Sequence, residues 1–453
     1  MKLLKKGTET TKSHRFETFS QRVSKLKIDP IHRVRRPGFE DDDGDEKFSH
    51  FRSSLDHWSE MNLSEIFSGF VRSVNPLCES LHQILYHEEK IMALLAEYIE
   101  KKDHLSIEPL LNLLSQFARD LGVRFEKHFA TSVTLVASVA ASHPDAEVIE
   151  WSFTCLAWIF KFLSRLLVPD LRPLLNIMAP YLGKERQKPF VSRFAAESMS
   201  FLVRKAGLVY YKNKQPLDRA ISCLFEDIRN TAEARNVDTY KEGLMVMFAE
   251  AIKGVKGGLH SNASDIFSSL IQNSTAGDDL QRSLAQQVLC GVVTNVLHNS
   301  TPEAFSELLT VLGTYIEKLK DSESQLSIAA HLMFVCVTTR KATRIKDWKI
   351  VHHALLTLLQ RSLDIFPSSK AILPRILASV AYALQLSPMD EMLPSMRPIM
   401  EVVADDRLEP FFLSFCSTFA EFGSERFHAV VLPYFQRYFS LFFPPNIHSI
   451  LTI

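Results

Sequence analysis

From about Leu63 onward, apolar residues return at three- and four-residue steps, the spacing of a buried helix face rather than of a strand. Ile107, Leu110, Leu111, Leu114, Phe117, Ala118 and Leu121 fall on one such face, with Ser106 placed to cap its start and Gly122 its end. Ile149, Phe153, Leu156, Phe160, Leu163 and Leu167 repeat the pattern. There Trp151, Trp158 and Phe162 add a second stripe, which predicts a helix buried on two sides, as between neighbours in a stack. Alternating apolar and polar runs are absent. The one ambiguous stretch, Val133 to Ser142, is assigned to a helix by its flanks.

Breaks recur at His143-Pro144, Gly183-Lys184, Asn213 to Pro216, Gly257-Gly258, Gly277-Asp278, Ser300 to Pro302, Asp321-Ser322, Phe366-Pro367, Ser387-Pro388 and Gly423-Ser424. They leave helices of about twelve to twenty residues, roughly nine pairs, spaced near the ~40 residues of HEAT and armadillo repeats. The repeat reads best at Asp170-Leu171-Arg172-Pro173-Leu174-Leu175 followed by Phe190 to Glu197. In such a unit a proline bends the first helix, and small residues let the second approach its neighbour. Ser395 to Met400 echoes the first helix, and Pro374 and Pro433 sit in similar apolar settings. The expected fold is all-α, a HEAT/armadillo-like α-solenoid of helix pairs over residues 51–453. Its last stretch carries Tyr434, Phe435, Phe439, Phe442, Phe443, Ile447, Ile450, Leu451 and Ile453, an apolar face that expects a following helix pair.

Residues 1–50 differ and are expected to form a basic arm. Phe16, Phe19, Val23 and Leu26 step by three, four and three as a short amphipathic helix, too narrow to be stable alone and expected to order only against a partner. Asp29-Pro30 ends it, and Ile31 to Pro37 should be extended between prolines. Glu40 to Glu46 is an acidic hinge. The chain has no net charge, yet residues 1–38 carry eleven Lys/Arg against three Asp/Glu, leaving the rest mildly acidic. Such segregation marks an arm with its own partner. Lys25, Lys27, His32, Arg33, Arg35 and Arg36 are the candidate contacts to RNA phosphates or an acidic protein surface.

Chemistry finds little foothold. Six cysteines are scattered singly through apolar stretches, so no pair has metal or redox spacing, and reduced buried thiols are the simple reading. Lys253 to Gly258 has glycines but no phosphate-loop frame, and reads as a helix end. His87-Glu88-Glu89-Lys90 begins like a zinc-protease motif but has Ile91 where the second histidine belongs. His352 and His353 are adjacent and point about 100° apart on a helix. The acidic run lacks the glycine of a calcium hand. The N-terminus lacks the apolar core of a signal peptide, and Lys161 and Arg165 interrupt the most hydrophobic stretch, so neither secretion nor a membrane span is expected. The reading is a non-enzymatic binding scaffold with no cofactor, no metal and no small-molecule substrate.

Phe16-Glu17-Thr18-Phe19-Ser20-Gln21-Arg22-Val23, continued by Lys25 to Arg36, closely resembles the start of the DRIM (down-regulated in metastasis) family, also named for its association with U3 small nucleolar RNA. The likeness extends through Lys188 to Arg204, including Phe194-Ala195-Ala196-Glu197-Ser198-Met199-Ser200-Phe201-Leu202, and covers nearly the whole chain. That resemblance implies a nucleolar scaffold of the small-subunit processome (the 90S pre-ribosome). It would act in U3-dependent pre-rRNA processing, with pre-rRNA, the U3 particle and other processome proteins as partners. It implies a longer solenoid than is present and brings no catalytic residues. Without it, the competing class is a nuclear transport receptor or another HEAT adaptor that binds peptides.

Overall fold

A computed structural model describes residues 14–26, 48–167, 177–183, 188–209, 215–231, 237–254, 257–299, 301–319, 322–339, 342 and 345–420. The described residues are helical without strands, apart from an isolated bridge between Lys253 and Leu259. The chain divides into two units, Met1–Ala251 and Ile252–Ile453.

In the first unit the helices are α1 (Phe19–Lys25), α2 (His50–Met61), α3 (Glu65–Val74), α4 (Leu81–Tyr86), α5 (Glu88–Glu100), α6 (Ile107–Leu121), α7 (Glu126–Ser142), α8 (Ala146–Leu167), α9 (Pro189–Val209), α10 (Gln215–Thr231) and α11 (Lys241–Ile252). The helices pack in two layers: α2 on α6, α6 on α8 and α8 on α9 form one, and α3, α5 and α7 form a second. The layers meet through α5 with α6 and α7 with α8. Ile149, Phe153, Leu156 and Phe160 of α8 are buried as the first stripe predicted, whereas Trp151, Trp158 and Phe162 of the expected second stripe are only part-buried. The ambiguous Val133 stretch is helical, as its flanks implied. Close approach inside the unit depends on Gly243 of α11, where a Cβ would stand 2.4 Å from the Leu182 carbonyl oxygen.

The second unit continues the scheme with α12 (Ala263–Asn273), α13 (Asp279–Asn299), α14 (Pro302–Glu317), α15 (Glu323–Thr338), α16 (Trp348–Asp364), α17 (Leu373–Leu386), α18 (Met389–Val403) and α19 (Glu409–Ala420). Here α14, α16 and α18 form one layer, and α13, α15, α17 and α19 the other. Each unit is an all-α solenoid segment.

The repeat length is written in the polar contacts as well as the apolar ones. The last carbonyls of a helix lack intrahelical partners, and basic side chains about one repeat away supply them. Arg407 donates to Leu363 O across 44 residues at 2.9 Å, and Arg361 to Glu317 O across 44 residues at 2.7 Å. Lys188 likewise reaches His143 O, Arg204 reaches Ala251 O and Arg124 reaches Leu85 O. A cation at a helix C-terminus also complements the helix dipole.

Several local expectations need correction. Ser106 stands at the N-cap of α6 but makes no capping bond; its hydroxyl turns to Asp103 O instead. Pro374 sits in the first turn of α17, where proline costs nothing because its N–H would be unpaired anyway, so it kinks no helix. Pro398 does lie inside α18, with Pro394. The repeat at Asp170 to Leu175 and the apolar stretch from Tyr434 to Ile453 lie outside the described residues.

Two stability predictions follow from this packing. Asp120 of α6 accepts from the Ser49 hydroxyl and from the His50 and Phe51 amides, capping α2 from outside its own chain segment. Asp120→Ala should therefore destabilise the first unit by about 2 kcal/mol, read as a lowered urea midpoint. In the second unit burial pulls the His352 imidazole down to about 4. The unfolded chain then binds the extra proton first, so stability is lost as pH falls from about 6.5 to about 4, by roughly 3 kcal/mol from this group. His352→Gln should flatten that acid limb in urea melts run at several pH values.

Candidate functional site

The arm is the part of the chain where the sequence concentrated its candidate residues, and a short helix forms there because its ends are chemically closed. Thr18 is the N-cap: its hydroxyl accepts from Gln21 N, and the Gln21 side chain accepts from Thr18 N at 2.9 Å, a reciprocal capping box. The helix is shorter than the apolar stripe predicted. Phe16 precedes the helix, and Leu26 is its C-cap.

The stripe does not wait for a separate molecule. It docks on α8 and α9 of its own solenoid. Phe19 is fully buried, with its ring centroid 5.6 Å from Phe194, 5.3 Å from Phe201 and 6.1 Å from Phe160. Phe16 stacks on Phe190 at 4.3 Å and meets the edge of Phe153 at 6.0 Å. Val23 and Leu26 are half-buried. The expectation that these residues order only against a partner is thus corrected: a lone seven-residue helix would melt, and the body of the chain is what it packs on.

Charged groups fix its position. At the N-terminal end the Glu197 carboxylate of α9 accepts the Phe19 amide at 2.7 Å and the Arg193 guanidinium at 2.9 Å. At the C-terminal end Lys161 of α8 donates to Val23 O at 2.7 Å and to Leu26 O. An anion at the start and a cation at the end oppose both poles of the helix dipole. Between them Arg22, almost completely buried, pairs with Glu150 of α8 and donates to Glu150 O, Thr154 Oγ1 and Glu17 O. Burial pulls its guanidinium down to about 10 against the opposing pull of Glu17 and Glu197, so it stays charged at neutral pH. His14 reaches Glu150 from the other side at 3.0 Å.

Of the candidate basic contacts, Lys25 is exposed and paired with Glu17, whose carboxyl that ammonium holds below its usual range. Lys27, His32, Arg33, Arg35 and Arg36 lie outside the described residues. Sequence reasoning missed Arg22, Glu150, Lys161 and Glu197. Their signal was present as charges set inside otherwise apolar helical faces, and Lys161 was weighed only as an obstacle to a membrane span.

Elsewhere, two groups have a geometry that could hold a metal ion among the described residues. In the first, Glu88, Glu89 and His128 are already neutralised. Burial pushes the Glu88 carboxyl up, but Arg124 and Lys127 outweigh it and hold it below its usual range. The truncated zinc-protease motif at His87 therefore contributes an ion-pair network. The second group, His104, Asp145 and Glu147, is largely exposed, with His104 and Asp145 2.7 Å apart. His352 and His353 diverge as adjacent helical residues must: one is buried, while the other pairs with Glu317 at 3.2 Å. No described helix is long and apolar enough to cross a membrane.

No protein-family model matches the chain. The U3 small nucleolar RNA-associated protein 20 of Schizosaccharomyces pombe is 30% identical over 432 residues, which is 95% of this chain and 16% of that protein. Its namesake in Saccharomyces cerevisiae is 30% identical over 360 residues, 78% of this chain and 14% of that protein. The chain therefore spans well under a fifth of the length of these relatives.

The docking geometry predicts how the arm is released. Phe19→Ala should weaken docking by about 3–5 kcal/mol, and Lys161→Met by about 1–3 kcal/mol through the carbonyls it leaves unpaired. Hydrogen exchange followed by mass spectrometry should report fast exchange across residues 19–25 in both variants, with α6 unchanged. Wild-type protection of that helix in either variant would contradict the packing described.

Proposed function

Because the chain is related to the U3 small nucleolar RNA-associated protein 20 proteins, we propose that it is a structural, non-enzymatic component of the small-subunit processome. In that role it serves U3-dependent pre-rRNA processing and small-subunit assembly in the nucleolus. The observation that carries this reading is the match along 95% of the chain. The name of those relatives records association with U3 small nucleolar RNA, which supports an RNA–protein particle as the setting. A solenoid of stacked pairs suits a scaffold, since each pair adds surface without altering its neighbours.

In this reading the arm has two jobs. Phe16, Phe19, Val23 and Leu26 attach it to the solenoid, and the basic stretch beyond Leu26 meets phosphates. Lys25 is engaged by Glu17, which leaves Lys27, Arg33, Arg35 and Arg36 as the cations of that stretch. Neutralising about four phosphates gives a log–log salt slope for single-stranded RNA of about −2.8. Selectivity for sequence should be slight, because phosphate contacts carry no base identity.

Arg33, Arg35 and Arg36 changed together to Glu should lower recovery of the full-length protein with purified pre-ribosomes while leaving solenoid melting unchanged. Wild-type recovery would remove the basic stretch from the mechanism. Fractionation tests the larger reading: sedimentation with a soluble small-GTPase complex, and none with nucleolar particles, would replace it by a transport receptor.

A further inference from the structure

Where the docked arm meets the start of α9 there is an open cleft of about 710 Å³, the size class of ordinary ligand sites. Half of its wall comes from the arm, through Arg15 and Phe16, and half from Lys188, Phe190 and Arg193. Neither half makes the cleft alone, so it exists only while α1 is docked.

Its charges do not cancel locally. Both carboxylate oxygens of Glu197 are committed, one to the Phe19 amide and one to Arg193. Glu17 is committed to Lys25. Arg15 is exposed, and Lys188 donates to a neutral backbone carbonyl, His143 O, at 2.5 Å. Among the described residues neither cation has a carboxylate partner, which leaves the cleft with two uncompensated positive charges. Phe16 follows Arg15 and stacks on Phe190, both residues part-buried, with the Lys188 ammonium 5.8 Å from the Phe190 centroid.

From this juxtaposition we propose that the cleft binds single-stranded RNA, a base lying against the Phe16–Phe190 rings and its flanking phosphates on Arg15 and Lys188. Cations set beside exposed aromatic faces are the recurrent arrangement for unpaired nucleotides, because every base offers a flat π surface and every linkage a negative charge. An acidic peptide would satisfy the cations and leave the rings unused. The proposal rests on the reading of the chain as part of an RNA–protein particle and adds to it a site on the body of the solenoid, separate from the basic stretch beyond Leu26. It also couples two events: RNA in the cleft holds the arm down, and a docked arm completes the RNA site, by the same factor in each direction.

The test uses the whole chain and a short fluorescent oligouridine, with affinity read by anisotropy at low salt. Arg15→Glu with Lys188→Gln should weaken binding, and Phe190→Leu, which keeps apolar volume but loses the π face, should weaken it roughly tenfold. Hydrogen exchange over residues 19–25 must stay at the wild-type level in these variants, and should slow further when oligouridine is added to the wild type. Thiouridine cross-links should map to the peptides holding Phe16 and Phe190. If Phe190→Leu releases the arm, the cross-link map of the wild type decides alone. Cross-links confined to other peptides, or undiminished affinity in the variants with the arm docked, would overturn the proposal. So would displacement of the oligomer from the cleft by polyglutamate with no cross-link there, which would assign the cleft to an acidic peptide. None of these results bears on whether the full-length protein enters pre-ribosomes, which the recovery experiment answers separately.

Discussion

A helix has four amides at one end and four carbonyls at the other that it cannot satisfy itself, and a stack of short helices multiplies that deficit at every turn. In this chain the neighbouring repeat meets it. Arg407, Arg361, Lys188, Arg204 and Arg124 each donate to a carbonyl near the end of another helix. Asp120 and Glu197 do the same for amides at helix starts. Apolar stripes bring the helices together without fixing how far each slides along the next. A charged group aimed at a helix end does fix it, since the bond exists at one register only.

The arm obeys the same rule. A seven-residue helix is unstable in water, and Phe19 alone contributes about 2–3 kcal/mol by leaving it. Burying Arg22 works against that gain, because the low-dielectric contact with α8 disfavours its charge even with Glu150 beside it. Arg22 is better understood as specifying where α1 lies than as holding it there. Glu197 and Lys161, placed at opposite ends of α1 on two different helices, make that position unique. The arm is bound as one more element of the stack.

The layered, all-helical plan was legible in the sequence because it is local: three- and four-residue spacing within each helix, and Gly or Pro between them. Gly122, with φ at 52°, ends α6 where the pattern said it should. The docking of the arm was not legible, because its partners lie more than a hundred residues away. Arg22 meets Glu150 across 128 residues, and Phe19 meets Glu197 across 178. A narrow apolar stripe announces that something will cover it, and its own sequence holds no record of what. The capping box at Thr18 and Gln21 was readable, and would have set the start of α1 at Phe19 instead of Phe16.

The two stretches that carried the family resemblance, Phe16 to Arg36 and Lys188 to Arg204, are far apart in sequence but partly the two sides of one contact. Phe16 lies on Phe190, Phe19 on Phe194 and Phe201, and the Phe19 amide on Glu197. A solenoid face that merely buried its neighbours would accept many apolar combinations of suitable volume. A contact that must bury two aromatics, seat one guanidinium and close both ends of a short helix accepts few, because an unpaired charge or amide there costs more than a lost methylene. The docked arm thereby concentrates sequence-specific requirements that the repeats alone do not impose. It also ties Leu26 to Lys161, so that whatever follows Leu26 begins from a defined point on the solenoid.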